Sequence, residues 1–390
     1  MGVTVRFHEV EAKSLLRQSI VVDPWFLGRF GSNLYRGCAH GCVYCDGRAE
    51  KYYVRGTFDE DIEVKRNAIE LARVELDRLR EPGILFLGGG VCDAYQSAEK
   101  KYQLARGILE LCLERGVPVH VLTKSGLVER DLELLQAIHK KSRAILSFSF
   151  STVNDRERQV FEPRGATIAK RFQLLRKAKD LGLATGVMAM PLLPGLSDST
   201  FHMQALMEMA RDNGVDFVCH GALTLRPGTQ KDEFFALLRK AYPELIPAYT
   251  RLYQSNRASG APDPRYLDRL YAAFREAHLH YGIPGRIPHR VFRGMVPLYT
   301  EVAVLLEHRG FEMGDAAGAQ GNFARGCWGI GKWARTRLGK LRGKHAFREV
   351  EAEFGMLIRS DLLSVIPELD PRVYPDVVEI YKSVIKTDRP

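Results

Sequence analysis

The sequence predicts an α/β fold: a parallel sheet of six strands, closed or partly closed into a barrel, followed by a mainly helical extension. Three observations predict it. Six short β-like runs alternate with helical patterns between about residues 30 and 240. Parallel neighbours need long crossover connections, and each interval between runs has room for one helix. Beyond about 240 the alternation stops, and helical stretches follow one another between breaks such as Ser259-Gly260-Ala261-Pro262 and Ile283-Pro284-Gly285.

The expected strands are Asn33–Arg36, Ile84–Leu87, Val119–Thr123, Ile145–Ser151, Thr185–Met190 and Asp216–Gly221. The first helix is expected where Val64, Ala68, Ala72, Leu76 and Leu79 recur at three-to-four spacing, one face of a helix. Similar patterns place helices over Tyr102–Leu113, Asp131–His139, Ile168–Leu181 and Thr200–Asp212. The chain thus divides into an N-terminal segment (1–29), a barrel core (30–240) and a helical extension (241–390). In such folds the site lies at the C-terminal ends of the strands. The loops to search are therefore those after Arg36, Leu87, Thr123, Ser151, Met190 and Gly221.

With 45% apolar and 27% charged residues, the 390-residue chain can pack a core and is not globally disordered. No apolar run approaches the roughly 20 residues of a membrane span. Glu9 and Glu11 argue against a secretory signal, and Arg6 stands where a myristoylation site would need Ser or Thr. A soluble, cytoplasmic protein without membrane partners is expected. Seven cysteines, an odd number, argue against a disulfide scaffold.

Three of those cysteines, Cys38, Cys42 and Cys45, fall within eight residues. Thiolates so spaced on one compact loop can converge on an inorganic centre. Three are one short of the usual four for an iron–sulfur cube, which would leave one iron open to chelate a small molecule. The alternatives are a zinc knot completed by His40 or a distant His, and unrelated buried thiols.

The string Leu34-Tyr-Arg-Gly-Cys-Ala-His-Gly-Cys-Val-Tyr-Cys-Asp-Gly-Arg48 resembles the radical S-adenosylmethionine (SAM) superfamily, and within it the spore-photoproduct-lyase-like branch. The resemblance continues through Asp93–Glu99, Thr123-Lys-Ser125, Arg130-Asp131, Glu162-Pro163, Arg171 and Pro191–Gly195, and covers about residues 12–240. It implies a partial (β/α)6 barrel of the TIM type, a [4Fe–4S] cluster on Cys38, Cys42 and Cys45, and SAM on the open iron. It also implies reductive cleavage of SAM to a 5′-deoxyadenosyl radical, hydrogen abstraction from a substrate, and lyase-like or modifying chemistry. A one-electron donor such as flavodoxin or ferredoxin would be the partner.

The resemblance also proposes the remaining site residues. Gly88, Gly89 and Gly90 stand where the family often has Gly-Gly-Glu; with no acid there, Asp93 is expected to meet the SAM ammonium. Lys124 would hold the SAM carboxylate as a point charge. Ser147, Ser149 and Ser151 share a strand face by period two and suit a ribose or methionine. Arg171, oriented by Glu162, would reach the same ligand, unless the two form only an ion pair. Tyr44 would border the adenine. Cys92 would donate a hydrogen atom, or be a small buried residue; Tyr95 would relay hydrogen or pack on substrate. Cys219 could also face the cavity.

From Cys327 to Arg348 there are seven Lys or Arg and no acid, and Arg325 precedes them. With Trp328 and Trp333, segment 325–348 could bind phosphates and stack on bases of DNA or RNA, or be a solvated helix surface. Three functions are consistent with all this: a radical SAM enzyme acting on nucleic acid, a non-catalytic nucleic-acid-binding protein with a structural metal, and a radical SAM enzyme modifying a protein or small molecule.

Overall fold

The computed structural model describes residues 4–88, 91–314, 321–343 and 345–386. Ten strands form two sheets: β1 (Arg6–Val10), β2 (Leu16–Gln18), β3 (Gly28–Ser32), β4 (Tyr35–Arg36), β5 (Asp61–Lys65), β6 (Ile84–Leu87), β7 (Val119–Thr123), β8 (Ala144–Ser149), β9 (Ala184–Leu192) and β10 (Phe217–Ala222). The larger sheet runs β10-β9-β8-β7-β6-β3-β2; it is parallel throughout except for β2, which pairs antiparallel with β3. Six parallel strands with helical crossovers make the expected partial barrel. The smaller sheet, β1-β5-β4, lies beside it.

Two expectations need correction. The first barrel strand is Gly28–Ser32, not Asn33–Arg36: Leu34 and Tyr35 are buried, but Tyr35–Arg36 turns away to pair with β5. The true strand reads Gly-Arg-Phe-Gly-Ser, a poor strand former, and at Gly28 a Cβ would lie 2.9 Å from the Phe86 Cβ. Val64 belongs to β5, not to the helix Ala68–Asp77 that follows.

Period two sorts the barrel strands. Outward residues Leu85, Val121, Leu146, Phe148, Val187 and Val218 pack under helices such as Leu104–Arg115, Leu132–Ser142, Ile168–Asp180 and Thr200–Asp212. Inward residues Ile84, Ile145, Met188, Phe217 and Cys219 pack against Ile287, Phe292 and Val304 of the extension, which close the barrel floor. The extension is helical, as expected: Leu298–Met313, Asn322–Lys340, Ala346–Arg359 and Tyr374–Lys386 share their own core around Ile330, Val350, Phe354 and Val377. No helix among the described residues is long and apolar enough to cross a membrane.

Candidate active site

The loop after β4 carries the three cysteines. It can leave the strand because Gly37 adopts φ +79°, where a Cβ would lie 2.8 Å from the carbonyls of Asp61 and Phe58. The loop has no ladder of its own, so side chains from distant elements satisfy its backbone. The Gln96 amide donates to the Gly37 carbonyl (3.1 Å) and accepts from the Ala39 N–H (2.9 Å). Arg48 Nε donates to the Cys42 carbonyl (2.9 Å), and Gln230 to that of Tyr44 (2.9 Å). Arg164 donates to the Ala39 carbonyl and pairs with Asp59.

Cys38, Cys42 and Cys45 line one cavity of about 280 Å³. Its walls come from the C-terminal ends of the strands: Phe86 on β6, Leu122 and Thr123 on β7, Ser149 on β8, Met188 and Met190 on β9, and Gly221 and Ala222 on β10. Burial pushes all three thiols up, Cys42 to about 12, while the nearby Lys124 ammonium opposes the shift at Cys42 and Cys45. A centre bound there would draw three thiolates next to one cation, a donor set suited to iron–sulfur.

Asp93 and Lys124 line the same cavity. The Asp93 carboxylate accepts from the Thr123 hydroxyl (2.8 Å), from the amides of Lys124 (2.8 Å) and Tyr95 (2.8 Å), and lies 3.1 Å from His40 Nε2. Burial alone would raise its pKa; His40 and the amides bring it down to about 2, so it is ionised. Lys124 Nζ donates to Ser149 Oγ (2.9 Å) and lies 5.7 Å from the Tyr44 ring centroid. Burial would lower its pKa, but Cys42 and Glu162 outweigh that and raise it. A fixed cation and a fixed anion thus share one cavity with His40, Thr123, Ser149 and Thr224 and a largely apolar remainder.

Cys92 also lines the cavity and packs beside Cys38 and Phe58. Its sulfur is 3.9 Å from Asn33 Oδ1, and burial pushes its thiol to about 12. Tyr44 lines the cavity as well, its hydroxyl donating to Glu162.

Several expected site residues sit elsewhere. Tyr95 is buried and not part of the lining, and its hydroxyl donates to Asp131 (3.1 Å), so it neither relays hydrogen nor packs on a ligand in the cavity. Glu162 and Arg171 form an ion pair with no exposure, behind Tyr44; Arg171 also donates to the carbonyls of Ser149 (2.6 Å) and Ala166 (2.9 Å). They support the wall and do not reach into the cavity. Of the three serines only Ser149 lines it. Ser147 lies one layer deeper, 2.8 Å from His120 Nε2, and Ser151 donates to Glu162 (2.8 Å). Cys219 faces inward but below the cavity. Gly88 is in extended backbone against β7 and is not part of the lining; Gly89 and Gly90 lie outside the described residues.

The basic segment is largely committed. Lys332 pairs with Glu368 (2.7 Å) and Arg337 with Glu353 (2.8 Å); Arg335 is 3.9 Å from Glu81, and Arg325 bonds Asn322. Trp333 is buried against Phe354, so it cannot stack on a base; Trp328 is half exposed. Arg348 lies over Phe347, and Lys344 is outside the described residues.

Sequence reasoning did not identify His40, Gln96, Arg164 and Gln230 as the scaffold of the cysteine loop, nor Phe26, Phe86, Met188 and Met190 as its apolar wall. For the wall a signal existed: Phe86, Met188 and Met190 share the inward parity of Ile84 and Ser149.

A model of the radical SAM superfamily matches residues 32–203. Uncharacterized protein Rv2578c of Mycobacterium tuberculosis (strain ATCC 25618 / H37Rv) is 34% identical over 262 residues, 65% of this chain and 74% of that protein. Uncharacterized protein ORF301 of Acidianus two-tailed virus is 31% identical over 209 residues, 50% of this chain and 66% of that one. Among solved structures, a spore photoproduct lyase complexed with dinucleoside spore photoproduct is similar over 72% of this chain and 80% of that chain, with TM-score 0.51 and 15% identity. At that identity the likeness carries the fold.

Proposed function

The chain belongs to the radical SAM superfamily, and on that premise we propose that it holds a [4Fe–4S] cluster on Cys38, Cys42 and Cys45 and cleaves SAM reductively. The observation that carries this reading is the sharing of one cavity by three thiols, the Lys124 ammonium and the Asp93 carboxylate. Such a cluster, once bound, supplies the electron that splits SAM into methionine and a 5′-deoxyadenosyl radical able to take hydrogen from a substrate. The chain's own residues do the rest. Lys124 offers a point charge to the methionine carboxylate, and Asp93, fixed by Thr123 and two amides, accepts from its ammonium. Tyr44, Phe26, Phe86, Met188 and Met190 exclude water around the reacting carbon. Cys92, on the same wall, donates hydrogen to a substrate radical.

The test is anaerobic reconstitution with iron and sulfide, followed by assay of 5′-deoxyadenosine in the presence of dithionite. Replacing any one of Cys38, Cys42 or Cys45 by Ala should abolish both cluster absorbance and 5′-deoxyadenosine. If all three variants still make it, the reading fails. Cys92→Ala should keep the cluster and SAM cleavage.

A nucleic-acid substrate is the narrower reading. It is supported by the fold shared with a lyase bound to a dinucleoside photoproduct, and by Lys340, Arg342 and Trp328 on the extension. Filter binding at several salt concentrations tests it: a steep salt dependence supports it, and no binding leaves a protein or small molecule as substrate.

A further inference from the structure

We propose a second ligand site: a pocket for a phosphate group at the floor of the barrel, on the face opposite the cysteine cavity. The pocket measures about 450 Å³ and lies where the helix Leu132–Ser142 hands over to β8, against the loop 293–295 of the extension. Its lining includes His139, Lys140, Lys141, Arg143 and Arg293, and no carboxylate. Cations in the last turn of a helix are ordinary, because they complement the helix dipole. That accounts for His139, Lys140 and Lys141. It does not account for Arg293, which arrives from 150 residues further along the chain.

Two further features point to an anion. Arg293 Nε is buried and has no hydrogen-bond partner among the described residues. A buried donor left unpaired is costly, so native structures pair it with something. The nearby Glu301 carboxylate does not serve it: that group accepts from the Gly294 amide (2.6 Å) and lies 3.0 Å from His289 Nε2. Lys141 donates to the Glu114 carbonyl (3.0 Å), whereas the side chains of Lys140, Arg143 and Arg293 have no partner among the described residues. Three uncommitted cations, two of them guanidiniums, converge on one concavity. Guanidiniums match the paired oxygens of a phosphate, and a single water could satisfy the orphaned donor but not offset the charge.

The phosphate could be a free anion or part of a nucleic-acid backbone, and the experiment separates these. Full-length protein would be titrated, without iron, with pyrophosphate and separately with a short single-stranded oligodeoxynucleotide. Ionic strength is held constant with chloride, and binding is followed by calorimetry and by thermal shift. Saturable binding is expected, and Arg143→Gln and Arg293→Gln should each weaken it about 10- to 100-fold, the loss of one charged hydrogen bond. Melting in the absence of ligand shows whether either variant fails to fold; the pair gives two independent readings. Pyrophosphate binding lost in the variants assigns a free anion, and oligonucleotide binding lost alone assigns a backbone phosphate. No saturable binding by either probe, or equal affinity in wild type and both variants, overturns the site. Because neither readout needs the cluster, failure here leaves the SAM assignment untouched.

Discussion

Replacing Arg171 by Met tests how the cavity wall is held. Arg171 and Glu162 are both wholly buried, and their pair sits at a junction of three elements. The carboxylate receives the Tyr44 hydroxyl from the cysteine loop and the Ser151 hydroxyl from the end of β8, while the guanidinium receives support from the Ser149 and Ala166 carbonyls. Arg171→Met strands a buried carboxylate and orphans two carbonyls. Breaking a buried pair from one side costs about 3–5 kcal/mol. Lys124, which also lowers the Glu162 pKa, keeps the loss toward the lower figure. Against a total of about 5–15 kcal/mol for a typical domain, that is a large fraction. Glu162→Gln should cost less, because Arg171 keeps both carbonyls, and a double-mutant cycle should give a coupling of about 2 kcal/mol. Acid sharpens the test. Burial opposes ionisation of Glu162, but Arg171 and Lys124 overcome it and hold the group at about 2. A carboxylate lowered on folding stabilises above its unfolded value near 4.5, and that contribution is lost as pH falls toward 2. In Arg171→Met burial is opposed by Lys124 alone, so the folded-state value rises toward the unfolded one, and acidification should cost the variant less stability than it costs wild type. Urea unfolding of the iron-free protein at pH 7 and near pH 3 measures both effects. An Arg171→Met midpoint within about 1 kcal/mol of wild type, or coupling near zero, would refute the assigned role.

Two other perturbations follow from the interior. A Cβ at Gly186 would lie 2.1 Å from the Phe217 ring and 2.8 Å from Ser147 Oγ, so Gly186→Ala should cost about 1–3 kcal/mol in thermal unfolding; Phe217→Leu in the same chain should recover much of it, and a neutral Gly186→Ala would show the interior is loosely packed. Burial lowers His120, His278 and His308 to about 4, so each is neutral in the folded chain. Their stabilisation is present above about 6.5 and lost as pH falls toward 4, on the order of 3 kcal/mol per residue. Melting temperature should therefore drop steeply below about pH 6.5, less so in His120→Gln, and a flat profile would contradict their burial as neutral groups.

How much of this was readable before the structure follows from how local each feature is. β6 and β7 carry the expected boundaries because a parallel strand covered on both faces is a short apolar run bounded by polar loops. β3 was hidden for the opposite reason: two glycines and an arginine give it no such signature, while the apolar Leu34-Tyr35 beside it does. Cys38, Cys42 and Cys45 were legible because all the needed ligands lie on one loop. The partners of that loop were not, since Gln96 is 57 residues from Ala39 and Arg164 is 125 from it. Period two correctly placed Ser147, Ser149 and Ser151 on one parity, but parity gives a face and not a depth. Only the strand register shows that Ser147 is below the cavity and that Ser151 is past the strand end, on Glu162. Tyr95 shows the same limit, since its neighbour Asp93 lines the cavity while the Tyr95 hydroxyl turns to Asp131.

The barrel interior is graded along its axis, and the grading explains why the chain continues past its last strand. At the top are the thiols, Asp93 and Lys124; one layer down, His120 and Ser147 satisfy each other, with His120 Nδ1 on the Phe26 carbonyl (2.8 Å). Below that the interior is apolar, with Ile84, Ile145, Phe217 and Cys219 meeting Ile287, Phe292 and Val304. Six strands leave a barrel open, and an open barrel would admit water to the underside of any reactive species held at its mouth. The extension supplies the missing floor from residues far outside the matched region 32–203. Part of its basic surface is taken up by ion pairs, Lys332 with Glu368 and Arg337 with Glu353. On this view the C-terminal helices are part of the reaction vessel first, and any surface for a macromolecular substrate is built from what that structural duty leaves over.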